Sequence, residues 1–244
     1  MENHNNLNLN DIRKRLIDLE DVIIKRLYER SQYKQNVTIY EHSNRNINHS
    51  IKYINKYNGS FFDYMFKNLE NVYSKLGRYD CFDEKPYYMG LDKSEINRNY
   101  NIISDNIIKI SNDINYCPWI KIAYMNYIND LCLEGDDNNY GDTVFCDINI
   151  LQAISKRIHY GILVMECKYL DNKEKYDIHI TNKDDISILS ELKDIDIENK
   201  VLKRVAEKSL KYGFTNPDIV INFFKNTIIP MTIQIEMEYI FIRK

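Results

Sequence analysis

The sequence predicts an all-α protein, a bundle of long helices, and three observations carry that expectation. Apolar residues recur at three- and four-residue spacing over long stretches. Only one short segment, Lys175–Thr181, reads as a strand or turn. The 244 residues include only 7 Gly and 4 Pro, too few for the many tight turns of an all-β or Rossmann-type fold. Neither an internal repeat nor a linker divides the chain, so residues 1–244 are expected to form one domain, with 1–6 as a disordered tail.

Taken in order, Ile12, Leu16, Leu19, Ile23 and Leu27 mark a long first helix, with Asn8 or Asn10 as N-cap. Residues 38–56 are polar and Asn-rich and read as a loop with short helical pieces. Gly59–Arg78 reads as a second long helix that turns Phe62, Phe66, Leu69 and Val72 or Tyr73 inward. Asp80–Lys93, with Pro86 and Gly90, is a connector, and Ile96–Ile110 is expected to contain a helix. Trp119–Leu133 is helical, and Glu134–Asp142 (EGDDNNYGD) is a loop. Gln152–Tyr169 is one helix and Ile186–Leu192 a short one. Ile195–Tyr212 is a helix closed by Gly213. Pro217–Arg243 is a last long helix, with Pro217 in its first turn and Pro230 as an interior kink.

Composition excludes several classes of function. A formal net charge of −3 gives no footprint for nucleic acid. No apolar run reaches the roughly 18 residues of a membrane helix. The start, MENHNNLNLN, resembles neither a signal nor a transit peptide, and five cysteines without a CxxC pair fit a reduced, cytoplasmic protein. The five histidines show no metal-ligand spacing, and His159 reads as structural. Asp136, Asn138, Gly141 and Asp147 fall near calcium-loop positions, but Tyr140 occupies a ligand position and Asp rather than Glu closes the loop. GxGxxG, P-loop, HExxH and GxSxG motifs are absent, and no cofactor is expected.

Charged groups inside apolar helical patterns are the more informative signal. Arg157 and Lys168 stand eleven residues apart in QAISKRIHYGILVMECKY, almost three turns at about 3.6 residues per turn. Gly161 and Val164 complete their stripe. Asp194 and Glu198 are four apart near a helix start, and Thr232 and Glu236 are four apart in IIPMTIQIEMEY. Arg13 lies near the start of the first helix. Spacing alone leaves simpler readings open for each: cations that snorkel to solvent, an acidic first turn, an exposed face. Together the groups would suit a small dianion, since arginines clamp carboxylates through bidentate hydrogen bonds.

Three stretches carry a resemblance. LNLNDIRKRLIDLEDVIIKRLYERSQY, GDDNNYGD followed by DINILQAISKRIHYGILVMECKY, and IIPMTIQIEMEY are similar to the all-helical chorismate mutases of fungi and plants, in the same order and over nearly the whole chain. The resemblance implies a homodimer of helical subunits, each with one site that rearranges chorismate to prephenate on the route to Phe and Tyr. It assigns Arg13 and Arg157 to the carboxylates, Lys168 and Glu236 to the ether oxygen, Glu198 to the ring hydroxyl, and Asp194 and Thr232 to further substrate contacts. Asp194 stands where the fungal pattern has Asn. No nucleophile, metal or redox cofactor is needed for a unimolecular pericyclic step. The protein's tasks are to hold the compact reactive conformer and to stabilise charge on the ether oxygen.

The regulatory pattern is less complete. In the family, Tyr inhibits and Trp activates at an interface site built from an Arg-Arg pair and the segment after GDD. The corresponding positions here are Arg78, Asn138, Asn139, Gly141 and Asp142. The pair reads Gly77-Arg78, Gly-Ser reads Gly141-Asp142, a Thr position reads Phe145, and the loop Gly213–Pro217 is short. One cation fewer and one anion more should weaken capture of an amino-acid carboxylate, so the expected effector site is a weakened one.

Overall fold

A computed structural model describes residues 8–42, 59–96 and 114–243. Every regular element among them is helical, and none of their helices is long and apolar enough to cross a membrane. Helix α1 spans Leu9–Ser31; the Asn8 side chain accepts from Asn10 N at 2.9 Å, capping a donor the first turn cannot satisfy. Its predicted apolar stripe is buried throughout. A short 3₁₀ turn follows at Val37–Tyr40.

Helix α2 spans Phe61–Lys75, capped by Ser60, whose Oγ accepts from Asp63 N. It ends before the expected Arg78 because Gly77 turns left-handed, φ 69°, into a second 3₁₀ turn at Arg78–Asp80. Phe62 and Phe66 are buried, Leu69 and Tyr73 are half-buried and Val72 is exposed, while Glu70 is buried. The helix expected at Ile96–Ile110 lies outside the described residues apart from Ile96.

Helix α3 spans Cys117–Leu131, with Pro118 in its first turn. Helix α4 spans Tyr140–His159, so the acidic loop ends three residues earlier than expected. Helix α5 spans Gly161–Asp171. The expected helix Gln152–Tyr169 is thus two segments meeting at Tyr160. Bonds from Tyr160 N to Lys156 O and from Val164 N to Tyr160 O carry helical pairing through the junction, which keeps Arg157 and Lys168 on one side.

Helix α6 spans Lys173–Asn182 and replaces the expected strand or turn at Lys175–Thr181. Alternation there does not report burial: Tyr176 is buried, whereas Ile178 is 60 % exposed. Helix α7 spans Asp185–Leu192 and α8 spans Ile195–Tyr212, closed as expected by Gly213 at φ 109°. The last helix departs from expectation. Helix α9 spans Asp218–Phe223, a π turn occupies Phe224–Ile228, and α10 spans Ile229–Ile242. Pro230 offers no N–H, and its ring crowds the carbonyl four residues back. The preceding turn widens accordingly, with Ile229 N bonding back five residues to Phe224 O.

Helix α1 packs against α4 and α8, while α10 packs against α5, α4 and α7. A continuous apolar cluster from Ile12 to Ile240 fills the space between them. Side chains pin α8 to α1 at its far end: Lys208 Nζ donates to Ile17 O at 2.9 Å and Tyr212 to Asp21 at 2.8 Å.

Candidate active site

Packing α1, α4, α5, α7, α8 and α10 together leaves a cavity of about 410 Å³. All seven residues predicted for catalysis and substrate binding line it. Arg13 comes from α1, Arg157 from the last turn of α4, and Lys168 from the last turn of α5. Asp194 is the N-cap of α8, accepting from Ile197 N at 3.0 Å, and Glu198 lies in that helix's first turn. Thr232 and Glu236 come from consecutive turns of α10.

The deep wall is buried and charged. Arg157 is 5 % exposed and Glu236 4 %. Lys168 Nζ donates to Glu236 Oε2 at 2.8 Å. Burial pushes the Glu236 carboxyl above its ordinary range, against the pull of Lys168 and, more weakly, Arg157. Burial lowers Arg157 from the usual guanidinium value, opposed by Glu20 and Glu236, but a guanidinium remains charged. Arg157 reaches Glu20 only through Nη2, at 3.9 Å; its Nε and Nη1 have no partner among the described residues. Buried donors normally find partners. Two left open on one buried guanidinium, in the wall of a cavity, are donors available to an anion. Thr232 Oγ1 instead donates to Ile228 O at 2.7 Å.

Near the mouth, Arg13 and Asp194 are exposed and Glu198 is half-buried. Arg13 makes no ion pair among the described residues, so its guanidinium is available to a ligand.

Sequence reasoning missed two residues of this wall. Glu20 is 1 % exposed and is gripped by Arg204, whose Nε and Nη2 donate to its two oxygens at 3.2 and 3.0 Å. Glu20 stands seven residues after Arg13, two turns along the same face, so the helical repeat that marks Arg13 also contains it. Arg204 on α8 carries no comparable signal.

The residues expected for an effector site do not meet within the chain. Arg78 donates to Glu84 at 2.7 Å and to Gln152 at 3.1 Å and stacks over Tyr73. Asn138, Asn139, Gly141 and Asp142 surround the start of α4, where Asn139 is the N-cap. Gln152 lies twelve residues after Tyr140, about 18 Å along the helix. His159 is structural, as expected: its Nε2 accepts from Tyr116 N, and burial lowers its pKa to about 4, so it is neutral.

A helical bundle enclosing a cavity with two guanidinium donors unpartnered among the described residues, beside a lysine–carboxyl pair, is built to hold and polarise an anion. Its likeness to known proteins is specific. Residues 140–237 match the family model described as chorismate mutase type II. The chain is 35 % identical over 250 residues to the chorismate mutase of Schizosaccharomyces pombe, covering 97 % of this chain and 96 % of that one. The structure of the Candida albicans chorismate mutase Aro7p in complex with L-Trp superposes with a TM-score of 0.88 at 32 % identity, covering 97 % of this chain and 92 % of the other. The AtCM1 structure with tyrosine bound in its allosteric site gives 0.82 at 30 %, covering 99 % and 98 %. The chain therefore belongs to the type II chorismate mutase family and is a chorismate mutase, an isomerase.

Proposed function

We propose that this cavity binds chorismate and converts it to prephenate, with Arg157, Arg13, Lys168 and Glu236 as the principal actors. The observation that carries this reading is the pair of unpartnered, buried N–H groups on Arg157 beside the Lys168–Glu236 pair. The two arginines clamp the substrate's carboxylates. That clamp restricts an extended dianion to the compact conformer in which the new C–C bond can form, a proximity effect. Negative charge grows on the ether oxygen as its C–O bond breaks. Lys168 donates to that oxygen, and Glu236 donates a second hydrogen bond when protonated, the state that burial favours. Glu198 addresses the ring hydroxyl, and Asp194 and Thr232 complete the contacts. Glu20, held by Arg204, stands 3.9 Å from Arg157 Nη2, which leaves Nε and Nη1 for the ligand.

The same reading takes the chain as a single cytoplasmic domain that works as a homodimer, the arrangement that would let Arg78 of one copy approach the Asn138–Asp142 segment of another. It also takes any Tyr or Trp response as weak. Arg78 already spends donors on Glu84 and Gln152, and Asp142 adds a negative charge at an exposed position.

Chorismate consumption by the purified protein tests the reading, with Arg157→Ala in parallel and Tyr and Trp added separately. Prephenate should form with wild type and fall by about 10³ or more with Arg157→Ala. A folded dimer without turnover would replace the enzyme by a binding or regulatory protein built on the same pocket.

A further inference from the structure

Gly161 is a glycine inside regular helical structure, the first residue of α5, where glycine ordinarily weakens a helix relative to alanine. Its φ is not positive, so backbone conformation gives no reason for it. Space does. A Cβ added at 161 would stand 3.1 Å from Thr232 Cγ2, 3.1 Å from the Thr232 carbonyl oxygen and 3.5 Å from Glu236 Cγ. The first two contacts are tighter than most Cβ contacts, so a neighbour would have to give by a few tenths of an ångström, and the oxygen belongs to the backbone of α10. Gly161 itself is buried, and it sits one turn from Arg157 and two turns from Lys168.

We propose that Gly161 is a positioning residue for the reaction: by letting α10 lie against α5 without an intervening methyl, it sets how far Glu236 stands from Lys168 and where Thr232 forms the wall. This rests on the active-site reading above. The groups that face Glu236 are Lys168 from α5, Arg157 from α4 and Tyr176 from α6. Across the cavity stand Arg13 and Glu20 of α1, Glu191 of α7, and Glu198, Lys200 and Arg204 of α8. Of these, Lys168 acts most strongly to lower the Glu236 pKa. Burial is the larger influence and Lys168 the main counterweight, so changing the gap displaces the Glu236 titration.

The test is Gly161→Ala, assayed for turnover across pH and for thermal stability. Were Gly161 an ordinary helical glycine, alanine would raise Tm by about 2–4 °C and leave the chemistry alone. The positioning role gives a different result. Tm should fail to rise, kcat should fall about ten- to a hundredfold, and the alkaline limb of the kcat profile should move. Adding Thr232→Ser removes one of the two 3.1 Å contacts. It should return the alkaline limb part of the way, and restore folding if the single variant does not fold. Wild-type kcat with an unmoved alkaline limb in Gly161→Ala overturns the proposal, as does a double variant that restores neither. Lys168→Ala separates the two ideas. Its loss of turnover beside a neutral Gly161→Ala rejects positioning alone, whereas full turnover in Lys168→Ala rejects the active-site reading.

Discussion

Two buried arginines in this molecule are wired in opposite ways. Arg30, at the end of α1, is fully buried and fully employed. Its Nε donates to Asp147 at 2.8 Å, Nη1 to the carbonyl of Lys34 at 2.9 Å and to Cys132, and Nη2 to the carbonyl of Gln35 and to Tyr40. Asp147 also accepts from Tyr124 at 2.6 Å and from Tyr40. Arg157 is almost as buried but has a single distant carboxylate and two idle donors. The pKa directions agree with the wiring: partners raise Arg30 despite its burial, while burial lowers Arg157. A charge that serves the fold is answered by the fold. A charge that serves a ligand is left for the ligand to answer.

The sharpest way to break this comparison is to truncate both. Arg30→Ala strands Asp147 in the core and should cost about 3–5 kcal/mol of stability, read by urea denaturation. Arg157→Ala removes a guanidinium that the fold scarcely satisfies, so its denaturation midpoint should hold or rise while turnover collapses. Equal destabilisation in the two variants would erase the distinction.

A smaller effect sharpens it at Glu236. With its carboxyl raised by burial, activity should decline as pH climbs past its titration in the complex. Glu236→Gln is a permanent donor and should flatten that alkaline limb. An unaltered profile would remove Glu236 from donation to the ether oxygen.

Glu70 extends the comparison to a carboxylate whose donors are all internal. It accepts from Tyr87 N at 2.9 Å, Tyr88 N at 3.0 Å and the Tyr79 hydroxyl at 3.0 Å, tying the 78–88 connector to α2. Burial still outweighs these bonds and lifts it from 4.5 to about 7. Between those values the folded state holds a proton that the unfolded state has released. Stability from this group is therefore greatest at the acid end and declines as pH rises from 4.5 to 7, by on the order of 3 kcal/mol. Glu70→Gln should reduce that slope in chemical denaturation curves, whatever its baseline. An identical slope would show that the three donors hold Glu70 ionised throughout.

Helices whose ends carry chemical signals were legible from sequence. Ile195–Tyr212 was read to the residue, with Gly213 as the signal at its end; the structure adds Asp194 as the cap at its start. Lys175–Thr181, read as a strand or turn, is helical, and its pattern carries little core signal, since Ile178 points to solvent. The π turn was illegible because Pro230 announces a missing donor but not how its neighbours will re-pair. In the site, spacing singled out Arg157 with Lys168 and Thr232 with Glu236, whereas Arg13 gained meaning only from the family resemblance. Arg204 and the reason for Gly161 depend on contacts across more than forty residues of chain, which no local pattern records.

The π turn at Phe224–Ile228 makes the bookkeeping of chain length part of the enzyme. A turn that holds one residue more than an α turn advances everything after it by about 100° around the helix axis. Removing a single residue there would leave Val220 and Phe224 facing inward, yet swing Thr232 and Glu236 away from the cavity. Evolution can exchange side chains along this helix one at a time, but it cannot tidy the spare residue without dismantling the wall that faces Lys168.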